Sequence, residues 1–311
     1  MKIIHSISSL DCSDKTIVTI GTFDGVHIGH QKILRNLIKT AKKEQKKSVL
    51  LTFFPHPRMV LQKEIHLFLL NTIEEKSHLL KKMGLDYLII HPFSKEFSRL
   101  TAIDFVRDFL VNKLNTSKLI IGYDHHFGKN REGNIDQLKE YSFLYDFLVE
   151  EIPSQDVDDV SVSSTKIRSA LFSGNLETAN KFLGYNYMLS GKVINGKNFG
   201  KTIGFPTANL SVKEAYKLIP KTGVYIIKTL IDGLLLFGMM NIGFRPTLGG
   251  KNQTIEVHLF NFKKNIYGKK ITVELLCFLR DEKKFLTVED LSHQLTIDKK
   301  NAISFVSNNL L

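Results

Sequence analysis

Gly21-Thr22-Phe23-Asp24-Gly25-Val26-His27-Ile28-Gly29-His30-Gln31 is the stretch on which the reading of this 311-residue chain turns. An apolar run, Thr16 to Ile20, precedes it and has the character of a buried strand. After it, Ile33, Leu34, Leu37 and Ile38 recur at the spacing of an amphipathic helix. Two histidines therefore sit where a strand turns into a helix. The first turn of a helix carries unpaired N–H groups and partial positive charge, which attract phosphate. Imidazoles placed there can donate hydrogen bonds to phosphoryl oxygens as charge builds in a transition state. Gly29 leaves room for a flat ring close to the backbone. The plain alternative is two surface histidines at a helix start. The strand before, Gly21 and Gly25 in the loop and the helix after favour phosphate.

The rest of the first half alternates strand-like and helix-like segments. Val49 to Phe53, Tyr87 to Ile90, Leu119 to Gly122 and Leu148 to Ile152 read as strands. Between them, Thr72-Ile73-Glu74-Glu75 is a capping box opening a helix to Met83, Thr101 opens one to Leu114, and Ile135 to Phe147 is a third. Repeated βα units predict a parallel sheet covered by helices on both faces, with ligands at the carboxyl ends of its strands. Four loops fall there. In the first, Asp24 either holds Mg²⁺ beside a triphosphate or caps the helix. In the second, Phe53-Phe54-Pro55-His56-Pro57-Arg58, two prolines predict an extended turn, and the phenylalanines either stack on a flat ring or belong to the core. The third runs from Gly122 to Gly133, with Lys129 and Arg131 as cations; its His125-His126 pair lacks a third metal ligand. The fourth, Ser163-Ser164-Thr165-Lys166-Ile167-Arg168, gathers hydroxyls and cations at a helix start, as a phosphate cradle or a plain N-cap.

Bulk composition narrows the class. The length favours two domains. No apolar run approaches the twenty residues of a membrane span, and the N-terminus lacks a secretory signal. Cys12 and Cys277 are far apart and form no CxxC pair, as free thiols of a reducing cytoplasm would. The formal charge of +12 comes largely from scattered lysines such as Lys42, Lys43, Lys46 and Lys47. It suits a small polyanionic substrate such as ATP, and nucleic acid is not expected as a partner.

His27-Ile28-Gly29-His30 resembles the HxGH signature of the nucleotidyltransferase superfamily. Followed by the Phe-Phe-Pro-His-Pro word, the Gly-Tyr-Asp…Phe-Gly loop and Ser-Ser-Thr-Lys-Ile-Arg, it resembles the FMN adenylyltransferase module of bacterial bifunctional riboflavin kinase/FAD synthetases. The resemblance covers residues 1 to about 183. It implies an ATP site made of Gly21, Phe23, Asp24, His27, Gly29 and His30, with Asp124 positioning the nucleotide and Ser164, Thr165 and Arg168 closing the other side. It also implies that the Phe54, Pro55, His56, Pro57 loop holds the isoalloxazine ring. His125 stands where the family has an aromatic residue.

From residue 184 the pattern changes, after a short helix ending at Gly184. Strands are predicted at Tyr187 to Ile194, Val224 to Ile231, Leu234 to Met240, Thr254 to Phe260 and Ile271 to Leu279. Asp232-Gly233 is a two-residue hairpin turn. One helix is predicted from Thr287 and another from Asp298. Together these describe a small antiparallel barrel with a helical cover. Gly196 to Thr202 nearly spells a Walker A loop but is one residue short, and Gly204 and Pro206 exclude the helix a P-loop feeds. Thr207 and Asn209, alternating on an extended segment, point the same way and offer hard oxygen ligands for Mg²⁺. Glu256 is unfavourable in mid-strand; it is either a general base or part of an exposed strand face.

Gly-Phe-Pro-Thr-Ala-Asn, Gly223-Val224-Tyr225, Asn241-Ile242-Gly243…Arg245-Pro246-Thr247, Glu256 with His258 and Leu279-Arg280-Asp281-Glu282 resemble the riboflavin kinase domain. The resemblance implies a six-stranded barrel over 184–311, with Mg·ATP bound through Gly196, Gly200, Lys201, Gly204, Pro206, Thr207 and Asn209. Thr207 and Asn209 hold the metal, Glu256 deprotonates the ribityl hydroxyl of riboflavin, and Arg280, Glu282 and Phe285 lie near the flavin. The expected protein is a cytoplasmic, two-step enzyme acting on riboflavin, FMN and ATP, its oligomeric state left open with a monomer favoured. A tRNA-synthetase-like enzyme lacks its KMSKS word here, and a flavin sensor without catalysis would not need an intact Glu256, Thr207, Asn209, His27 and His30.

Overall fold

The structure, a computed structural model, describes residues 1–7, 13–62, 66–122, 126–152, 162–195, 200, 203–247 and 250–309, the side chains of 131, 245–247 and 250–252 excepted. Cys12, Asp124 with His125, and Gly196 and Lys201 of the near-Walker loop lie outside the described residues. Chain contacts divide the molecule into two compact units, Met1–Ser164 and Thr165–Leu311.

The first unit is a parallel sheet of six strands: β1 (Lys2–Ile4), β2 (Thr16–Ile20), β3 (Lys47–Phe54), β4 (Tyr87–Pro92), β5 (Thr116–Gly122) and β6 (Leu148–Ile152). Their order is β1-β4-β3-β2-β5-β6. The helices are α1 (Ile28–Lys43), α2 (Pro57–Leu61), α3 (Ile73–Met83), α4 (Ala102–Phe105, continued by π-helical turns over Val106–Val111) and α5 (Ile135–Tyr145). Every residue of β2 is buried. Successive side chains of a strand point to opposite faces. Thus Val18 and Ile20 join Val49, Leu51, Leu119 and Phe105 in one core layer, while Ile17 joins Leu50, Leu88, Leu34 and Leu37 in the other. A strand covered on both faces needs an unbroken apolar run, as Thr16–Ile20 nearly is. The chain leaves β2 toward β3 and β4, then returns to place β5 on the other side of β2. Strand order reverses there, and the loop after β2 opens onto that crevice, where open α/β sheets bind ligands.

Two local expectations are corrected. Pro57 does not extend the turn after Phe54. It starts α2, with the side chain of His56 accepting from the Arg58 N–H at 3.1 Å; proline suits the first helical position because its missing N–H is not needed there. The Phe54–Pro55 peptide is cis. The helix from Thr101 does not run uniformly to Leu114 but passes from α4 into π turns.

The second unit begins at Thr165, the second residue of α6 (Ser164–Ser173), continues with α7 (Leu176–Leu183) and then closes a six-stranded barrel: β7 (Met188–Ile194), β8 (Ala208–Ser211), β9 (Gly223–Ile231), β10 (Leu234–Thr247), β11 (Gly250–Leu259) and β12 (Lys270–Arg280). The strands run in the order β10-β11-β8-β7-β12-β9. Asp232 and Gly233 both take positive φ, 51° and 80°, in the β9–β10 hairpin, as its turn type requires. The division at Ser164 falls two helices ahead of residue 183. Asn180 of α7 shows why: it donates to Leu275 O at 2.9 Å and accepts from Tyr187 N at 2.8 Å, so α7 seats on the barrel.

A single helix, α8 (Val288–Asn309), replaces the two predicted from Thr287 and Asp298. Asp298 does not cap a second helix. It is 1% exposed in the middle of α8 and receives a guanidinium, as described below. Ala302 and Val306 of α8 pack on Val224, Ile226 and Met239, outward-facing residues of the barrel wall. One side of the barrel thus has a second, helix-covered core.

Candidate active sites

In the first unit the site is built on the turn from β2 into α1. His27 is the N-cap of α1, and its Nδ1 accepts from the backbone N–H of His30 at 3.4 Å. An accepting ring nitrogen carries no proton, so the His27 proton sits on Nε2. The two imidazoles stack with centroids 3.6 Å apart and planes 20° from parallel. Burial pushes the His27 pKa down to about 4, against the opposing pull of Asp24. His30 is held well below the ordinary imidazole value, by burial first and then by His27 and Lys76. Both rings are neutral at physiological pH and act as hydrogen-bond groups, not as cations. Among the described residues, His30 Nδ1 is buried without a hydrogen-bond partner.

The turn itself is unusual. Phe23 and Val26 adopt positive φ, 46° and 38°, on either side of Gly25 at 83°. Such conformations cost of order 1–3 kcal/mol each in non-glycine residues and persist where the surroundings over-determine them. Here Gln31 donates to Val26 O at 2.9 Å, Leu70 N donates to the Asp24 carboxylate at 2.9 Å, and Ser164 Oγ donates to Asp24 O at 2.9 Å. The Phe23 ring lies against His30, centroids 4.7 Å apart, and beneath Gly21.

Of the two roles read for Asp24, capping α1 belongs instead to His27; the Asp24 carboxylate is buried and holds the 70s loop. The bond from Ser164, the last residue of the first unit, ties that one hydroxyl of the fourth motif to the first, although 140 residues separate them. Thr165 and Arg168 follow on α6, Thr165 exposed and Arg168 half-buried. In the second loop, Phe53 packs among Phe93 and Phe97, centroids 5.8 and 5.4 Å away, while Phe54 lies half-buried on the other sheet face.

In the second unit one row of residues crosses five strands of the barrel wall. Arg280 of β12 pairs with Val224 of β9, Val224 with Asn241 of β10, Asn241 with Glu256 of β11, and Glu256 with Asn209 of β8. Residues paired across antiparallel strands share a face. All five line a cavity of about 240 Å³, as do Gly200, Thr207, His258, Glu282 and Phe285. Leu291 and Leu295 of α8 form part of its wall. The face that carries Glu256 therefore lines a cavity partly walled by α8, and Glu256 itself is half-buried there.

Thr207 Oγ1 lies 3.5 Å from Glu256 Oε2. His258 Nδ1 lies 2.8 Å from Pro206 O, tying the segment before β8 to β11; burial chiefly lowers the His258 pKa. Gly200 accepts from Phe205 N at 2.8 Å, and a Cβ at Gly200 would collide with the Phe205 carbonyl, so this tight return demands glycine. Gly204 takes φ 80° in the same return, and a strand, β8, follows, where a P-loop would have a helix. Thr207, Asn209 and Glu256 form an all-oxygen donor set on one cavity wall, the chemistry that fits Mg²⁺. Among the described residues no group of three His, Cys, Asp or Glu side chains could hold a metal by itself.

Arg280 meets Asp298 through both arms: Nε lies 2.9 and 3.0 Å from the two carboxylate oxygens and Nη2 lies 2.7 Å from Oδ2. Gln294 adds a donor at 2.9 Å. The sequence reading quoted Asn241 and His258 within motifs but gave neither a place in the site, and it missed the pairing of Asp298 with Arg280. Asn241 carried a signal, a lone amide in the apolar run Met239 to Ile242. Asp298 carried none, because its partner lies in another element.

Two family models match, FAD synthetase over residues 10–166 and riboflavin kinase over residues 183–306. Among the similar proteins are bifunctional riboflavin kinase/FMN adenylyltransferases of Buchnera aphidicola from Schizaphis graminum (38% identical, 96% of each chain), Haemophilus influenzae (38%, 94% of each) and Escherichia coli K12 (34%, 98% of each). A crystal structure from Streptococcus pneumoniae, described as a macrolide-efflux protein, is 30% identical and superposes with a TM-score of 0.88 over 100% of this chain and 99% of that one. Among the described residues no helix is long and apolar enough to cross a membrane. Matched along almost its whole length by relatives that carry both halves, and half by half by the two family models, the chain belongs to the bifunctional riboflavin kinase/FMN adenylyltransferase family.

Proposed function

We propose that the chain converts riboflavin to FAD in two steps. In the barrel, the ribityl 5′-hydroxyl of riboflavin gives its proton to Glu256 as its oxygen attacks the γ-phosphorus of ATP; ADP leaves and FMN remains. In the α/β unit, a phosphate oxygen of FMN attacks the α-phosphorus of a second ATP; the bond to the bridging oxygen breaks, pyrophosphate leaves and FAD remains. The second nucleophile is already an anion and needs no base. This accounts for a site of neutral imidazoles, hydroxyls and helix N–H groups. The observation that carries the reading is the row of Asn241, Glu256 and Asn209, with the Thr207 hydroxyl beside Glu256, in one cavity partly walled by α8.

Thr207 and Asn209 are the residues that would hold Mg²⁺ with ATP; bound there, it offsets phosphate charge. Glu282 and Phe285 flank the flavin, and Arg280, steadied by Asp298, lines its pocket. His27 Nε2 and His30 bind phosphoryl oxygens of the adenylylation ATP, with Gly21, Phe23 and Asp24 shaping the turn and Ser164, Thr165, Arg168 and Asp124 completing the site. Phe54 to Pro57 receive the isoalloxazine ring. The adenylyltransferase module spans 1–183 and the kinase 184–311. The enzyme works in the cytoplasm without nucleic acid, with a monomer favoured over an oligomer. Incubation with riboflavin, ATP and Mg²⁺, followed by chromatography, tests the whole: FMN appears, then FAD. Absence of both products from folded protein removes the reading.

A further inference from the structure

Lys76 lies in the first turn of α3, four residues after its N-cap Thr72. A cation there opposes the helix dipole, and a lysine is rarely buried without a reason. Yet Lys76 is only 5% exposed. Its ammonium donates to the carbonyl of Thr22 at 2.6 Å, the carbonyl that also accepts from Thr52 Oγ1 at 3.2 Å. Thr22 is the residue before Phe23, where the strained turn begins. Burial lowers the Lys76 pKa, and the charged group that opposes this is Asp24 of the same turn, whose carboxylate accepts from Leu70 N at 2.9 Å. The Lys76 charge also reaches His30 and disfavours protonation there. The end of α3 that presents Lys76 is itself locked by a reciprocal capping box, Thr72 with Glu75, both buried. A rigid buried cation thus sits behind the turn that carries both histidines.

We propose that Lys76 is a positioning residue for adenylyl transfer: through the Thr22 carbonyl it fixes the 21–27 turn, and so the placement of His27 and His30. This rests on the reading of those histidines as phosphate binders. Placement of transition-state donors affects turnover more than ground-state binding. The test compares full-length K76M and K76Q, the latter keeping an N–H donor, with the H27A/H30A double variant. FAD formation from FMN and ATP is measured, and the kinase step in the same preparations reports on folding of the other unit. Near-UV circular dichroism and ¹⁵N-histidine NMR report on the turn.

For K76M the expected result is a roughly 10- to 100-fold loss of kcat with the ATP KM within about threefold, together with shifted His27 and His30 ring signals; K76Q falls between K76M and the parent. Folded K76M and K76Q within twofold of the parent kcat would overturn the proposal, as would a raised ATP KM with kcat intact. Should K76M not fold, K76Q decides alone: parent-like turnover there overturns it. An active H27A/H30A enzyme would instead remove the underlying reading of the site.

Discussion

At the scale of single residues, the two sites differ in what they ask of a side chain. Glu256 is to move a proton, a task worth roughly 10²–10⁴-fold. The E256Q enzyme should lose kinase turnover by about that factor while still making FAD from supplied FMN, measured by chromatography of each half-reaction. His27 and His30 are to donate, not to titrate. Burial holds their folded pKa values below the ordinary 6.5, His27 at about 4, so the folded state prefers the neutral rings. The unfolded chain takes up protons first as pH falls, so this contribution to stability is complete above 6.5 and is lost as pH drops from there toward 4. Thermal melts at pH 7.5 and 5 should show the first unit destabilised at the lower pH. The H27Q/H30Q protein should show a flatter dependence.

At the scale of elements, helices hold the reactive segments in place. α8 covers the kinase cavity with Leu291 and Leu295 and anchors Arg280 through a carboxylate whose side chain is 2% exposed. Removing a buried carboxylate that accepts from a guanidinium still 15% exposed costs about 1.5–3 kcal/mol. D298A should lower barrel stability by about that amount in denaturant unfolding and raise the riboflavin KM. α3 plays the corresponding part in the first unit. T72A removes one half of its capping box and should cost about 1 kcal/mol, read by the same melts. Much at this scale was legible in advance. The Thr72–Glu75 box, the Asp232-Gly233 turn and the Gly184 cap each depend on neighbours within four residues. The false break at Asp298 arose because an aspartate before a helical run resembles a cap, and only its distant partner shows otherwise.

At the scale of the whole molecule, two units carry two sites that share an intermediate. Glu256 and His27 belong to different units, so each defect should be separable. Mixed E256Q and H27A/H30A proteins, each unable to take riboflavin to FAD alone, should together make FAD, as FMN released by one is used by the other. Failure of the mixture with both half-reactions intact would show that FMN does not leave the protein that makes it.

The amino-acid sequence by itself determined the alternation of strands and helices, the change to a barrel near residue 184 and the motifs at strand ends. These are set by periodicity, turn chemistry and spacing, which act over a few residues. Only the tertiary structure decided which polar residues meet. Strand register put Asn241 beside Glu256 and Asn209, and α8, as part of the wall, turned a strand face into a cavity. The crossing of the chain over its sheet brought Ser164 onto Asp24 and Lys76 beneath Thr22. Such meetings depend on pairings between residues tens to more than a hundred positions apart, and no local pattern encodes them.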